Sequence, residues 1–251
     1  MVSQRMVLIY LAVKYDNDYD LILKELTACK KYPEEEIKEV VNSLKCNVMT
    51  MVDDNYPYYL KCAHKPPIVL FYYGDINLIS DYNKNIAIIG TRNPSEYGIK
   101  YTKIFAKELA KNYNIVGGLT LGVQTIAHTE ALNENGKTIA VLGSGIDNPD
   151  TNIKLYKKII ANGGLVISEY ANNVQPKPER FVMRNRLIAQ FSKKIIVSEA
   201  TKTSGTELLV NLALSQGRDI MCIPTSLDSE FTLGNELICQ GAMPILVPSN
   251  I

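Results

Sequence analysis

The sequence predicts an α/β protein, a mostly parallel sheet with helices on both faces, preceded by a small helical N-terminal unit. Three observations carry this expectation. From Ile86 onward, short apolar runs alternate with amphipathic stretches, the signature of β-α units. The apolar runs are nearly continuous, as in strands covered on both faces. Several amphipathic stretches end beside Gly136, Gly163, Gly217 or Gly241, where the left-handed residue beyond a helix costs glycine least. The arrangement is Rossmann-like, and no cofactor is needed to explain its folding.

In chain order, residues 1–50 read as helices over 6–13, 19–30 and 33–45. Asn17 or Asp18 suits the cap of the second. In the third, Pro33 suits a first-turn position and Glu34, Glu35 and Glu36 complement the positive helix end. Ile37, Val40, Val41 and Leu44 recur there at helical spacing. Residues 51–80 shift to tyrosine and proline and read as a connector with a lead-in strand over 68–73 that lies against the next domain. Residues 81–251 form the Rossmann-like domain. Its strands are expected over 86–89, 115–116, 138–142, 165–167, 194–197, 219–223 and 244–247. Its helices are expected over 97–112, 122–135, 151–162, 183–191, 206–216 and 234–240.

Composition bounds the function. The 251 residues fit one full domain plus a smaller unit, and 46% hydrophobic with 21% charged residues is a soluble globular balance. A net charge of +1 means that any affinity for nucleic acid arises from local clusters of Lys and Arg. The five cysteines lack the close pairing of a zinc or redox motif, and with only His64 and His128 beside them no metal site is expected. The N-terminal apolar run is interrupted by Lys14 and Asp16, and no apolar stretch is long enough to span a bilayer. A reduced, cytoplasmic setting without a membrane partner follows.

In such a sheet, ligands bind beyond the carboxyl ends of the strands, so four turns there carry the chemistry. The first holds Gly90, Thr91 and Arg92 and leads to a helix that Ser95 can cap. Glycine lets backbone approach an anion, the helix start offers N–H groups, and Arg92 adds a fork for phosphate oxygens. A tight turn with a solvated arginine is the plainer reading. The second holds Gly117, Gly118 and Gly122, whose spacing is not that of dinucleotide enzymes. It reads either as a phosphate cradle or as a crowded turn.

The third, residues 170–183 and the helix after it, concentrates Lys177, Arg180, Arg184 and Arg186 around Phe181, with Asn185 placed for hydrogen bonding. An aromatic beside a cationic groove stacks bases without reading sequence. Alternatively Phe181 plugs the core and the arginines pair with Glu169 and Glu179. The fourth, around Lys202 and Gly205, admits an anion. It also admits an ordinary capped helix with Ser204 as cap and Glu207 completing a capping box.

Together the segments GTRNPSEYG, GGLTLGVQTIAH, GKTIAVLGSGID, SEY, FVMRNRLIA, SEATKTSGT, ALSQGRDIMCIP and LICQGAMPI resemble the DNA-processing protein A family, DprA or Smf. The resemblance covers nearly all of 85–245, and YPYYLKCAHKPPIVLFYYGD looks like the family's lead-in. It implies binding of single-stranded DNA with little sequence preference, help in loading the RecA recombinase, and protection of incoming strands in natural transformation. By motif, Arg92 matches the arginine of a G-S-R turn, with Thr91 in place of serine, and would contact a phosphate. Gly117, Gly118 and Gly122 match the glycine turn, Phe181 and Arg184 would supply stacking and charge, and Lys177 is placed more loosely. The resemblance also implies a homodimer through the Rossmann-like domain, with its contact in the last third of the chain.

The sequence departs from the family where IDNPDTNIKLY lacks a Tyr-Pro pair and IPTSLDSEFTLGNELI lacks the Pro-Gly and Gly-Thr-Asn pattern. It ends soon after Val247, so no C-terminal winged helix is expected. Two rivals use the same edge: a nucleoside monophosphate phosphoribohydrolase and a non-catalytic nucleotide sensor. The hydrolase needs a positioned carboxylate, and in TSGTELL Glu207 falls one residue early.

Overall fold

A computed structural model describes residues 2–149 and 152–251. Among them nine strands share one sheet: β1 (Asn47–Thr50), β2 (Val69–Gly74), β3 (Asn85–Ile89), β4 (Asn114–Gly117), β5 (Thr138–Val141), β6 (Leu165–Ser168), β7 (Lys194–Val197), β8 (Asp219–Cys222) and β9 (Met243–Pro244). Their order is β1-β2-β6-β5-β4-β3-β7-β8-β9. From β6 to β9 every pair is parallel, whereas β2 joins β6, and β1 joins β2, antiparallel.

The continuous apolar runs have the expected cause. In β3, Ala87 and Ile89 face one side with Val116, Val141 and Ile167, against Leu187, Ile188 and Phe191 of helix α8 (Pro178–Phe191) and Leu209 of α9 (Gly205–Ser215). Ile86 and Ile88 face the other side, against Phe105 of α5 (Glu96–Leu109) and Ala127 of α6 (Val123–Asn133). Every residue from Asn85 to Ile89 is fully buried. Each of the three isoleucines in β3 contributes about 1.5–3 kcal/mol by leaving water, so both faces drive the sheet together.

The N-terminal helices α1 (Gln4–Lys14), α2 (Tyr19–Thr27) and α3 (Glu34–Ser43) pack on the same side as α7 (Ile153–Ala161), over Val69 and Phe71 of β2. Ser3 caps α1 and Asp18 caps α2. The acidic first turn of α3 is as expected, but Pro33 stands outside the helix, at its cap, with ψ 133°. After α1 the chain turns through left-handed Asp16 and Asn17, a conformation that short polar side chains tolerate. Asn17 Nδ2 then donates to the carbonyls of Val69 at 2.6 Å and Glu169 at 3.0 Å, tying the helical unit to β2 and to the end of β6.

Some elements differ from expectation. β1 falls at the end of the unit expected to be helical, beyond its third helix over 33–45. It is a four-residue edge strand, and the adjacent pair Val48-Met49 shows no alternation to betray it. The short helix α4 (Tyr58–Lys61) sits inside the expected connector. Helix α8 begins at Pro178, not near Met183, because Pro at its first position and Glu179 in its first turn are helix-start signals. β9 is shorter and lies one residue earlier than expected. The expected start of α7 at Thr151 lies outside the described residues; Asn152 caps the helix, accepting from Leu155 N. At the end of β2, Gly74 has φ +95°, and a Cβ there would stand 1.9 Å from the Gly164 carbonyl oxygen.

We predict that Asn17→Ala lowers stability by about 1–3 kcal/mol, since two carbonyls lose a donor and alanine is strained in the left-handed turn. Urea unfolding checks it: the midpoint falls with the slope unchanged.

Candidate functional site

Strand β3 has β4 on one side and β7 on the other, so the chain's winding reverses there. A crevice opens beyond the carboxyl ends of strands at such a reversal, because the loops depart in opposite directions. Here it is a cavity of about 340 Å³. Gly90, Thr91 and Arg92 enter it from the turn after β3, Thr120 and Gln124 from the turn after β4, and Ala200 and Thr201 from the turn after β7. Helix α8 supplies Phe181, Arg184 and Asn185, and the start of α9 supplies Ser204, Gly205 and Thr206.

Two cations meet in this cavity by different means. Arg92 is exposed and makes no hydrogen bond or ion pair among the described residues. Arg184 is 4% exposed, and its Nη1 donates to the Val141 carbonyl at 2.9 Å, at the end of β5. Its guanidinium carbon lies 5.7 Å from the Phe181 ring centre. Phe181 is half-buried and packs on Gly143, where a Cβ would stand 2.7 Å from Cδ1. Asn185 links the helices by donating to Gly205 O at 3.3 Å.

The glycine turn seats Arg184. A Cβ on Gly118 would lie 1.5 Å from Arg184 Nη1, so only glycine leaves room for the guanidinium. The Gly118 amide is already committed to Gln124 Oε1 at 3.0 Å, which also accepts from Thr120 Oγ1 at 2.7 Å. Gly117 lies against His128, and left-handed Gly122 lets α6 start 2.4 Å, measured from a would-be Cβ, from the carbonyl oxygens of Thr91 and Arg92. Of the two readings of this cluster, its hydrogen bonds favour the crowded turn.

His128 is fully buried, and burial pushes its pKa down to about 4. The ring is therefore neutral near pH 7. With Nε2 protonated it donates to Gly118 O at 3.0 Å, while Nδ1 lies against the Thr138 hydroxyl, whose proton is shared between that nitrogen and the Ile115 carbonyl at 2.8 Å. A neutral ring also avoids placing a second positive charge next to Arg184, whose field helps hold the pKa down.

The start of α5 is not the open anion seat that the sequence suggests. Ser95 caps it, accepting from Gly98 N at 3.2 Å, and its amide donates to Glu199 Oε2 at 2.8 Å. Glu199, 2% exposed, was missed by sequence reasoning; its only signal is a carboxylate placed directly after the buried run of β7. At α9, Ser204 is the cap as expected, but Glu207 Oε2 accepts from Thr203 N at 2.7 Å, one residue before the expected partner. Thr203 is left-handed, with φ 53°, which turns its amide toward the helix start.

The remaining basic residues do not line this cavity. Arg180 points to the other side of α8, where it pairs with Asp16 at 2.6 Å and stacks over Tyr170. Arg186 pairs with buried Glu169, whose carboxyl is pushed up by burial and held back by the guanidinium. Lys202 pairs with Glu236 at 2.8 Å on the surface, and Lys177 is the exposed cap residue of α8.

A family model described as DNA recombination-mediator protein A matches residues 47–251. DNA processing protein DprA of Streptococcus pneumoniae is 37% identical over 196 residues, spanning 77% of this chain and 68% of that protein. DprA of Bacillus subtilis is 35% identical over 203 residues, 79% of this chain and 68% of that protein. The X-ray structure of the Streptococcus pneumoniae protein has a TM-score of 0.79 at 31% identity, over 86% of this chain and 78% of that one. DNA processing protein A of Helicobacter pylori, described for its single-stranded DNA binding mode, has a TM-score of 0.71 at 33% identity, over 82% and 94% of the two chains.

His128 makes stability depend on pH. Its folded pKa of about 4 lies below the ordinary 6.5. Its full contribution is therefore present above pH 6.5 and is lost as pH falls through the folded value, amounting to at most about 3 kcal/mol. We predict that the difference in unfolding free energy between pH 7 and pH 4.5 shrinks in His128→Gln; an undiminished difference would show the ring to be charged in the fold.

Proposed function

Because this chain belongs to the DNA recombination-mediator protein A family, we propose that its crevice binds single-stranded DNA with little sequence preference. The observation that carries the reading is the convergence of Arg92, Arg184 and Phe181 on one cavity at the sheet's reversal point. Arg92 is free to take a backbone phosphate bidentately. Arg184, fixed beneath it, holds the local potential positive. Phe181 offers a ring edge and face for base stacking, which every base accepts. Gly90 and Thr91 set the turn, Asn185 faces the same space, and Gly117, Gly118 and Gly122 act from behind the lining, Gly118 by making room for Arg184. Lys177, at the exposed start of α8, extends the track. Lys202 joins it only by exchanging Glu236 for phosphate, a small exchange because exposed ion pairs contribute about 0–1 kcal/mol, whereas Arg180 would have to leave both Asp16 and the far flank of α8.

The relatives named DNA processing protein support a place in DNA uptake, where the chain, acting in the cytoplasm as a homodimer through its Rossmann-like domain, helps load RecA onto incoming strands. Binding and positioning suffice for that role, with no bond made or broken by the protein. Among the described residues, no helix is long and apolar enough to cross a membrane.

Fluorescence anisotropy tests the reading. Oligo-dT is expected to bind more tightly than duplex of equal length, and affinity falls with salt as counterions are released. Arg92→Ala weakens binding roughly tenfold, the loss of a charge-assisted contact of about 1.5 kcal/mol. It also reduces the salt slope by about 0.7. Gly118→Ala, which displaces the Arg184 guanidinium, weakens binding comparably. Equal affinity for strand and duplex, or an unchanged slope in a cooperatively folded Arg92→Ala protein, rejects the site. Loading is read separately, as faster RecA filament growth on strands coated with single-strand-binding protein.

A further inference from the structure

The anion seat at the start of α5 is occupied by the protein's own carboxylate. Glu199 reaches from the end of β7 to within 2.8 Å of the Ser95 amide and 2.6 Å of the Ser95 hydroxyl, both of which donate to it. It forms no ion pair among the described residues and lies so close to the first turn that a Cβ on Gly98 would stand 2.1 Å from Oε2. A buried carboxylate without a cation persists only where donors and a positive helix end surround it. Its main-chain carbonyl also accepts from Thr91 N at 2.6 Å. One residue thus grips both ends of the turn that carries Arg92 and places a fixed negative charge behind it.

We propose that Glu199 determines specificity: it keeps the helix start closed to free phosphate and so restricts the crevice to phosphodiesters. The restriction takes its meaning from the strand-binding reading above. Open helix starts in Rossmann-like crevices take nucleotide phosphates on their amides. Here the Ser95 donors are already committed. A phosphate monoester carries about 1.5–2 negative charges at neutral pH. A diester carries one, so Glu199 repels the monoester about one and a half to two times as strongly. Arg92 and Arg184 are left to hold a backbone phosphate by side chains alone. The ligand chemistry that fits is a polynucleotide backbone and not a nucleoside monophosphate.

Two variants test this. Glu199→Ala removes the charge and vacates the volume; Glu199→Gln removes the charge and keeps the shape. Orthophosphate is titrated against chloride of equal ionic strength while the melting temperature is followed, and binding of dTMP is measured by calorimetry. Orthophosphate is expected to raise the melting temperature of E199A by several degrees and to leave the wild type unmoved. E199Q is expected to bind dTMP roughly tenfold more tightly than the wild type, the effect of removing one nearby charge. A merely structural Glu199 predicts lower melting temperatures with no anion-specific recovery, and that result overturns the proposal. Wild-type protein that binds dTMP as tightly as E199Q does also overturns it. If E199A does not fold, the comparison of E199Q with wild type decides. A parallel oligo-dT titration of the wild type keeps the two readings apart: anion recovery without strand binding supports the Glu199 gate and removes the strand-binding reading instead.

Discussion

A guanidinium buried at the carboxyl end of a central strand sets the terms for the whole crevice. Burying a charge carries a desolvation penalty of several kcal/mol unless hydrogen bonds replace the lost water. Arg184 offsets part of that penalty by donating to the Val141 carbonyl, and it can occupy its place only because residue 118 has no side chain. The surrounding choices follow. His128 stays neutral, Gln124 takes the amide that would otherwise compete for an anion, and Phe181 lies beside the cation with a ring that favours positive charge at its face.

That arrangement divides labour between the two arginines. Arg184 is ordered before any ligand arrives, so little entropy is lost at its position on binding. Arg92 retains its freedom and its full set of donors, suited to a flexible backbone that presents phosphates at variable angles. Helix α8 separates this crevice from a second cavity, where Arg180 and Arg186 face the turn of the N-terminal unit. A single helix therefore holds ligand-facing groups on one flank and domain-joining groups on the other.

Much of this was legible in the sequence where the signal is local. The strands β3 to β8 announce themselves because burial on both faces demands unbroken runs such as Ile86 to Ile89, and the turns after them follow from the rule for parallel sheets. The pairing of charges was not legible. Arg180 finds its acid 164 positions away, at Asp16, and nothing near either residue marks the partnership. Glu199 was hidden for a similar reason: the cap residue it holds, Ser95, lies 104 positions earlier in the chain. The start of α8 was readable, since proline followed by glutamate opens helices, but proline also opens loops and the basic residues around it suggested one.

The close passage of Gly74 over the Gly164 carbonyl has a consequence for how the hairpin of β1 and β2 can change. Sliding β2 by one position would bring a side chain against that oxygen and would also turn Phe71 and Tyr73 to the opposite layers. The add-on strands are thus keyed to the parallel sheet in a single frame. The tyrosine-rich stretch between them has anchors of its own, Tyr56 and Leu60 in the core and the Tyr56 hydroxyl donating to the Pro67 carbonyl at 2.6 Å, so a change of length is absorbed only around exposed Cys62 and His64.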